Sequence, residues 1–236
     1  MRLRAPIAVT DSIHQIRAVG AKVTVLQSSE GTLLVDAGAR GSKRAIVDGL
    51  ESLALSPKDI RLIAVTHYHP DHSGGLGEML EASSSEVAAH TVEIDIISGR
   101  RPAPDAHRNR FLAKIASPIV SRMYGGPVDV AHPLEDGQLL LFPDRVQAVH
   151  APGHTAGSLC FLVPSAGTLI VGDSLQNRFG KLGPPARSVT ADPEQALNSL
   201  ARLLELDFDT MCFSHFSPLR GGAKDALRDM LARVRP

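Results

Sequence analysis

One strand that runs directly into a cluster of ionisable residues constrains this chain more than any other feature. Residues 60–66 (IRLIAVT) form an apolar, β-branched run, and His67-Tyr68-His69-Pro70-Asp71-His72 follows with no spacer. In extended backbone, residues two apart project to the same side, so His67 and His69 can grip one ion together. Pro70 and Ser73-Gly74-Gly75 then favour a turn that can swing Asp71 and His72 toward a second ion. Imidazole and carboxylate are the donors that suit zinc and similar divalent metals. A lone histidine in a β-rich chain is ordinary. Three histidines and an aspartate within six positions point to a metal centre.

The surrounding sequence reads as two β-rich halves. In the first, 13–19, 22–28 and 32–38 carry strand patterns, and a helix is predicted over about 42–54 with Ser42 as its N-cap. Ser56-Pro57 starts a short turn, and the 60–66 strand follows. In the second half, 138–142, 146–151, 158–163 and 168–173 read as short strands. A helix from about Asp192, with Pro193 at its first position, to 206 precedes a last strand at 209–215. A C-terminal helix begins after Gly221-Gly222. Two such halves predict two mixed sheets packed face to face with helices outside, an αββα sandwich in the α/β class, formed by one domain over 1–236. Periodicity alone equally permits another α/β layering.

Between the halves lie residues 91–133, which contain a charged, Pro-rich stretch (RRPAPDAHRNR) and then FLAKIASPIVSRMYGG, helical in pattern but interrupted by Pro118. This span reads as an inserted helical lid, a homodimer element or both. The 25 basic and 25 acidic residues balance, which argues against nucleic-acid or membrane partners recognised by charge. No apolar run approaches the roughly 18–20 residues needed to span a bilayer. Cys160 and Cys212 both sit in apolar strand-like runs, where buried free thiols and a reducing, cytoplasmic setting are expected.

The HYHPDH run resembles the HxHxDH signature of the metallo-β-lactamase superfamily. VDAG (35–38), APGHTAGS (151–158), VGDS (171–174) and FSHFSP (213–218) match that family's remaining motifs in its order. The resemblance implies the αββα fold and a ligand set. His67, His69 and His154 would bind a first metal, Asp71, His72 and His215 a second, and Asp173 would bridge them. Asp36 would support the set, accepting a hydrogen bond from a ligand histidine or fixing the HYHPDH turn. The implied cofactors are two divalent ions, Zn2+ first, with Mn2+ or Fe2+ as substitutes. The implied activity is hydrolysis of an ester, lactone, thioester or phosphoester bond in a small molecule by a metal-bridging hydroxide, with Asp71 as catalytic residue. The rival activity is a mononuclear iron dioxygenase of the persulfide dioxygenase type, using His67, His154 and Asp173.

Within that resemblance, Asp173 argues against the zinc β-lactamases, which generally lack the bridging aspartate. The short stretch after His215 argues against a glyoxalase II with its added helical region. The compact lactonase and thioesterase branches remain. Phe216 stands where the family often has glycine, and Tyr68, Met123, Tyr124, Phe179 and Phe216 are candidates for an apolar pocket mouth. Arg100, Arg101, Arg108 and Arg110 either bind an anionic substrate or form a solvated face. His14, His90, His107, His132 and His150 lack ligand spacing, and His90 is the one expected to face the cleft.

Overall fold

Most strands carry apolar side chains on both faces, and that double burial sets the layering. A computed structural model describes residues 5–104 and 110–234. Its first half contains strands β1 (Ile7–Ala8), β2 (Ile13–Arg17), β3 (Lys22–Ser28), β4 (Gly31–Val35), β5 (Ile60–Ala64) and β6 (Glu86–His90), with helices α1 (Lys43–Glu51), α2 (Pro70–Ser73) and α3 (Leu76–Ser83). Helices α4 (Ile94–Ile97) and α5 (Arg110–Met123) follow, and β7 (His132–Leu134) closes this sheet, which runs in chain order from β1 to β7. Its β1–β4 part is antiparallel, and β4 to β7 run parallel.

The second half holds β8 (Gln147–His150), β9 (Leu159–Val163), β10 (Thr168–Ile170), β11 (Gln176–Arg178), β12 (Lys181–Gly183), β13 (Thr210–Cys212) and β14 (Leu219–Arg220). The order β14-β13-β10-β9-β8 makes the second sheet, parallel between β10 and β13, while β11 and β12 form a separate hairpin. Helices α6 (Pro193–Arg202) and α7 (Ala223–Val234) complete the chain. Among the described residues, no helix is long and apolar enough to cross a membrane.

Side chains alternate across each strand. Leu33, Val35, Leu62 and Ala64 of the first sheet meet Phe161, Val163, Ile170 and Cys212 of the second in one apolar layer. Their neighbours Leu34, Ile63 and Val87 face the other way, against Ile46 and Leu50 of α1 and Leu76 and Met79 of α3. Likewise Cys160, Leu162, Leu169 and Met211 pack on Leu200 of α6 and on Leu227 and Met230 of α7. Three apolar layers separate four structural ones. This is the expected αββα sandwich. Each fully buried Leu, Ile or Phe contributes about 1.5–3 kcal/mol, so the layers, not local propensity, hold strands as short as β10 and β13.

Several elements differ from expectation. Residues 138–142 form no strand beyond a single bridge from Leu139 to Gln147. Leu140 and Phe142 are buried while Leu141 is exposed, so the segment packs its apolar side chains without joining the ladder. The helix α5 runs through Pro118 instead of breaking there. The turn around Pro118 is exposed, so solvent can satisfy the carbonyl that proline leaves unpaired. Residues 132 and 133 of the 91–133 span are not an excursion, since they belong to β7, which pairs with β6. The strands β4, β5, β10 and β13 all end two or three residues before the predicted 38, 66, 173 and 215.

Candidate metal centre

Those shortened strand ends are where the site is built. Beyond Ala64 the chain leaves the sheet as Val65-Thr66-His67, and beyond Ile170 it turns through Gly172 to Asp173. Gly172 has φ +53, and a Cβ there would lie 2.9 Å from Thr66 Cβ. Glycine therefore lets the second-sheet loop pass against the first-sheet turn. The Leu159 N–H donates to the Thr66 carbonyl at 2.8 Å, tying the two sheets at the same point.

Two groups of donor atoms converge there. His67 Nε2 and His154 Nε2 each lie 3.0 Å from His69 Nδ1. His215 Nε2 and His72 Nε2 lie 3.3 Å and 3.8 Å from Asp71 Oδ2. Asp173 stands between the groups, its Oδ2 3.2 Å from His215 Nε2 and 3.8 Å from His154 Nε2, its Oδ1 3.6 Å from His72 Nε2. Donors at 2.0–2.1 Å from a tetrahedral ion lie about 3.3 Å apart, so both spacings fit a divalent cation. His72 Nε2 is buried and has no hydrogen-bond partner, the state of an atom reserved for a ligand. The donor set fits.

Supporting bonds fix which nitrogen faces inward. Asp36, at φ 66, accepts from the Thr66 N–H at 2.8 Å and pairs with His72 Nδ1 at 2.8 Å. The Thr66 hydroxyl donates to Asp36 and lies 3.0 Å from His67 Nδ1, from which it can accept. Thr190 donates to the Ala186 carbonyl and faces His154 Nδ1 at 3.3 Å. In each case Nδ1 meets its support and Nε2 faces the converging donor atoms. Asp36 therefore contacts both His72 and the Thr66 backbone that leads into the HYHPDH turn.

Electrostatics divides the two groups. Burial and mutual repulsion push the first three imidazoles down: His67 well below its ordinary value, His69 to about 3, and His154 lower as well. They are neutral and ready to donate lone pairs. In the second group burial opposes charge but is outweighed. Asp36, Asp71 and Asp173 raise His72 well above the ordinary value, and hydrogen bonds to Asp173 and Asp71 raise His215 to about 9. Those imidazoles in turn hold Asp71 at about 2 and Asp173 well below the carboxylate range. His67 and His72 are buried, whereas Asp71, Asp173 and His215 are partly exposed, so the site opens on their side.

Two residues beside the site carried no motif in the sequence. Glu93 is buried, and its Oε2 accepts from the Tyr68 N–H while its Oε1 accepts from the Thr155 hydroxyl and the Gly157 N–H, all at 2.8 Å. One carboxylate thus ties the His67–His69 loop to the His154 loop. Lys22, also buried, donates its Nζ to the Ser214 carbonyl at 3.0 Å, beside His215. Burial, reinforced by Arg17, pushes its ammonium down to about 8. The only hint for either was a charge set in an apolar run.

The candidate pocket residues divide. Tyr68 is buried and meets His69 edge to face, with centroids 4.9 Å apart. Tyr124 is near enough to Asp71 that burial and this carboxylate push its phenol up to about 12. Met123 Cε and Asp71 Cβ both crowd the space above Gly20, and the Met123 carbonyl accepts from the Arg40 N–H at 2.9 Å. The end of α5 therefore sits beside Asp71, although Ile115 and Ile119 farther along it are exposed. Phe216 lies 6.5 Å from the His215 ring under the Arg178 guanidinium. Phe179 is not in this group: at φ 52 on the tip of the β11–β12 hairpin it is fully exposed.

Of the remaining candidates, Arg100 pairs with Asp95 at 2.8 Å. Arg101 is exposed and donates to the Val92 carbonyl. Arg108, His107 and the side chains of Arg110, Phe111 and Leu112 lie outside the described residues. His90 stacks on His150 with centroids 4.0 Å apart and is not among the metal-binding groups. His132 pairs with Glu86, and His14 is a partly buried histidine of β2.

Comparison with known proteins agrees with this geometry. A family model of the metallo-beta-lactamase superfamily matches residues 16–215. The chain is 26% identical to the probable metallo-hydrolase YflN of Bacillus subtilis (strain 168), over 94% of this chain and 90% of that one. It is 30% identical to a hydroxyacylglutathione hydrolase of Rhodobacter capsulatus, over 65% of this chain but 47% of the relative. In fold it resembles a metallo-beta-lactamase family protein from Thermus thermophilus, with a TM-score of 0.73 at 23% identity, covering 97% of this chain and 79% of the other. The motifs, the strand-end histidines and this match lead to one placement: the chain belongs to the metallo-beta-lactamase superfamily.

Proposed function

We propose that the protein is a hydrolase that holds two divalent ions, zinc by preference, and cleaves an ester, lactone, thioester or phosphoester bond in a small molecule. The observation that carries this reading is the pair of His/Asp groups with Asp173 between them. His67, His69 and His154 would hold one ion, Asp71, His72 and His215 the other, and Asp173 would serve both. When bound, such ions supply Lewis acidity and a water acidic enough to act near neutral pH. The hydrolase names of YflN and the hydroxyacylglutathione hydrolase support the class.

The chain's own residues do the rest. Asp71 keeps its carboxylate ionised on the open side of the site, where Oδ2 can orient a water and carry its proton to a leaving group. Asp36, Thr66 and Thr190 hold the ligand rings in one orientation. The end of α5 beside Asp71 supports a lid over this side, and a second copy packed on its exposed Ile115 and Ile119 is compatible with that lid.

The test combines metal analysis with a hydrolysis panel of lactones, thioesters, phosphodiesters and β-lactams on zinc-reconstituted protein. Two zinc or manganese ions per chain, and turnover that a chelator abolishes and zinc restores, are expected. One iron per chain with oxygen consumption would favour the dioxygenase reading instead.

A further inference from the structure

A pocket of about 170 Å³ adjoins the first group of candidate ligands and extends away from the metal-binding donors. His69 and His154 form one end, and Tyr68, Val92, Ile96 and Val189 supply apolar walls. Most of the surface that its lining exposes is apolar, and three of its polar side chains point donors elsewhere. The Thr155 hydroxyl donates to Glu93, the Thr190 hydroxyl donates to the Ala186 carbonyl, and the Arg101 guanidinium donates to the Val92 carbonyl. What the walls offer an incoming group is therefore apolar surface. Val92, 45% exposed beside the site, has a use on this account. An apolar cavity of about 150 Å³ takes one benzene ring, so this pocket seats a group of that size, and a longer chain has to run out through its open side into solvent.

We propose that this pocket receives the acyl side of a carboxylic ester or thioester and restricts it to a short, uncharged apolar group. The proposal rests on the hydrolase reading. Hydrolysis joins a water oxygen to the acyl carbon and breaks its C–O or C–S bond. It yields the carboxylic acid and an alcohol or thiol that takes up a proton. Asp71, which would deliver that proton, belongs to the other, more open group, so the leaving group points there and the acyl group points toward His69 and His154. The leaving group is then left unselected.

The test uses the zinc-loaded full chain with 4-nitrophenyl acetate, butyrate, decanoate and monosuccinate. The kcat/KM should rise about ten-fold from acetate to butyrate, as expected for two buried methylenes, and fall at least ten-fold for decanoate and for monosuccinate. Val189→Trp, which fills the pocket, should abolish the butyrate preference, so that acetate and butyrate differ by less than about two-fold in kcat/KM. A second readout needs no turnover: benzene should shift the methyl NMR signals of Val92, Ile96 and Val189, and the Val92 and Ile96 shifts should vanish in Val189→Trp. Hydrolysis with no chain-length dependence, a preference for the succinyl ester, or unshifted methyls overturns the pocket alone. No turnover of any of these esters overturns the acyl assignment, and no turnover of the lactones, thioesters, phosphodiesters and β-lactams either overturns the hydrolase reading with it.

Discussion

In the metal-free protein His215 shares its proton with Asp173 and Asp71, and those contacts hold its pKa at about 9 against the cost of burial. Because the value is raised above the ordinary 6.5, this pairing stabilises fully below about pH 6.5 and is lost as pH rises through about 9. A cation entering the second group must displace that proton, and the one that the carboxylates hold on His72. The first group has no such proton to lose, since His67, His69 and His154 are already neutral. Zinc binding near pH 7.5 should therefore release about two protons per chain, both from the second group. Calorimetric titration in two buffers of different ionisation enthalpy measures this number. Release of none, with both ions bound, would mean that His72 and His215 are not the displaced groups.

At the scale of elements, the candidate ligands that the structure brings together were legible because each sits just past an apolar strand, where a local motif records it. The strand ends were misread for the same reason. Val65 continues the apolar pattern of β5 and its N–H still bonds the Ala88 carbonyl of β6, and only after it does the chain leave the ladder to present His67. Sequence shows the pattern and not the departure from the ladder. Glu93 was illegible for a different reason: its partners lie 25 to 64 residues away, so no local spacing encodes them. Glu93→Ala would strand the buried Tyr68 and Gly157 N–H donors, at about 1–3 kcal/mol each. A loss of about 2–5 kcal/mol in urea unfolding is expected, with zinc affinity at the His67–His69–His154 group about 10- to 100-fold weaker. Glu93→Gln, which can still accept at one oxygen, should recover part of both. An unchanged urea midpoint and zinc affinity in Glu93→Ala would remove the clamp from the account.

Across the whole molecule, the metal centre lies on the seam between the two sheets. His67, His69, Asp71 and His72 follow β5 of the first sheet, while His154, Asp173 and His215 come from loops of the second. The sandwich was readable from its two β-rich halves, because each strand's alternation already implies two apolar faces. Which faces meet was not readable, since that depends on pairings such as Phe161 with the inner side chains of β4 and β5. On the proposed reading each ion would span this seam, one held through His154 and the other through His215. It should therefore stabilise the native arrangement of both sheets and have little affinity for the unfolded chain. Free zinc at about 1,000 times its dissociation constant adds about 4 kcal/mol. For a chain of this length that raises Tm by about 8–16 °C. Asp173→Ala, lacking the residue between the groups, should keep less than half of that shift. Calorimetry of both proteins with and without zinc decides the point: equal shifts would place the stabilising ion away from Asp173, and no shift in either would mean that zinc does not join the sheets.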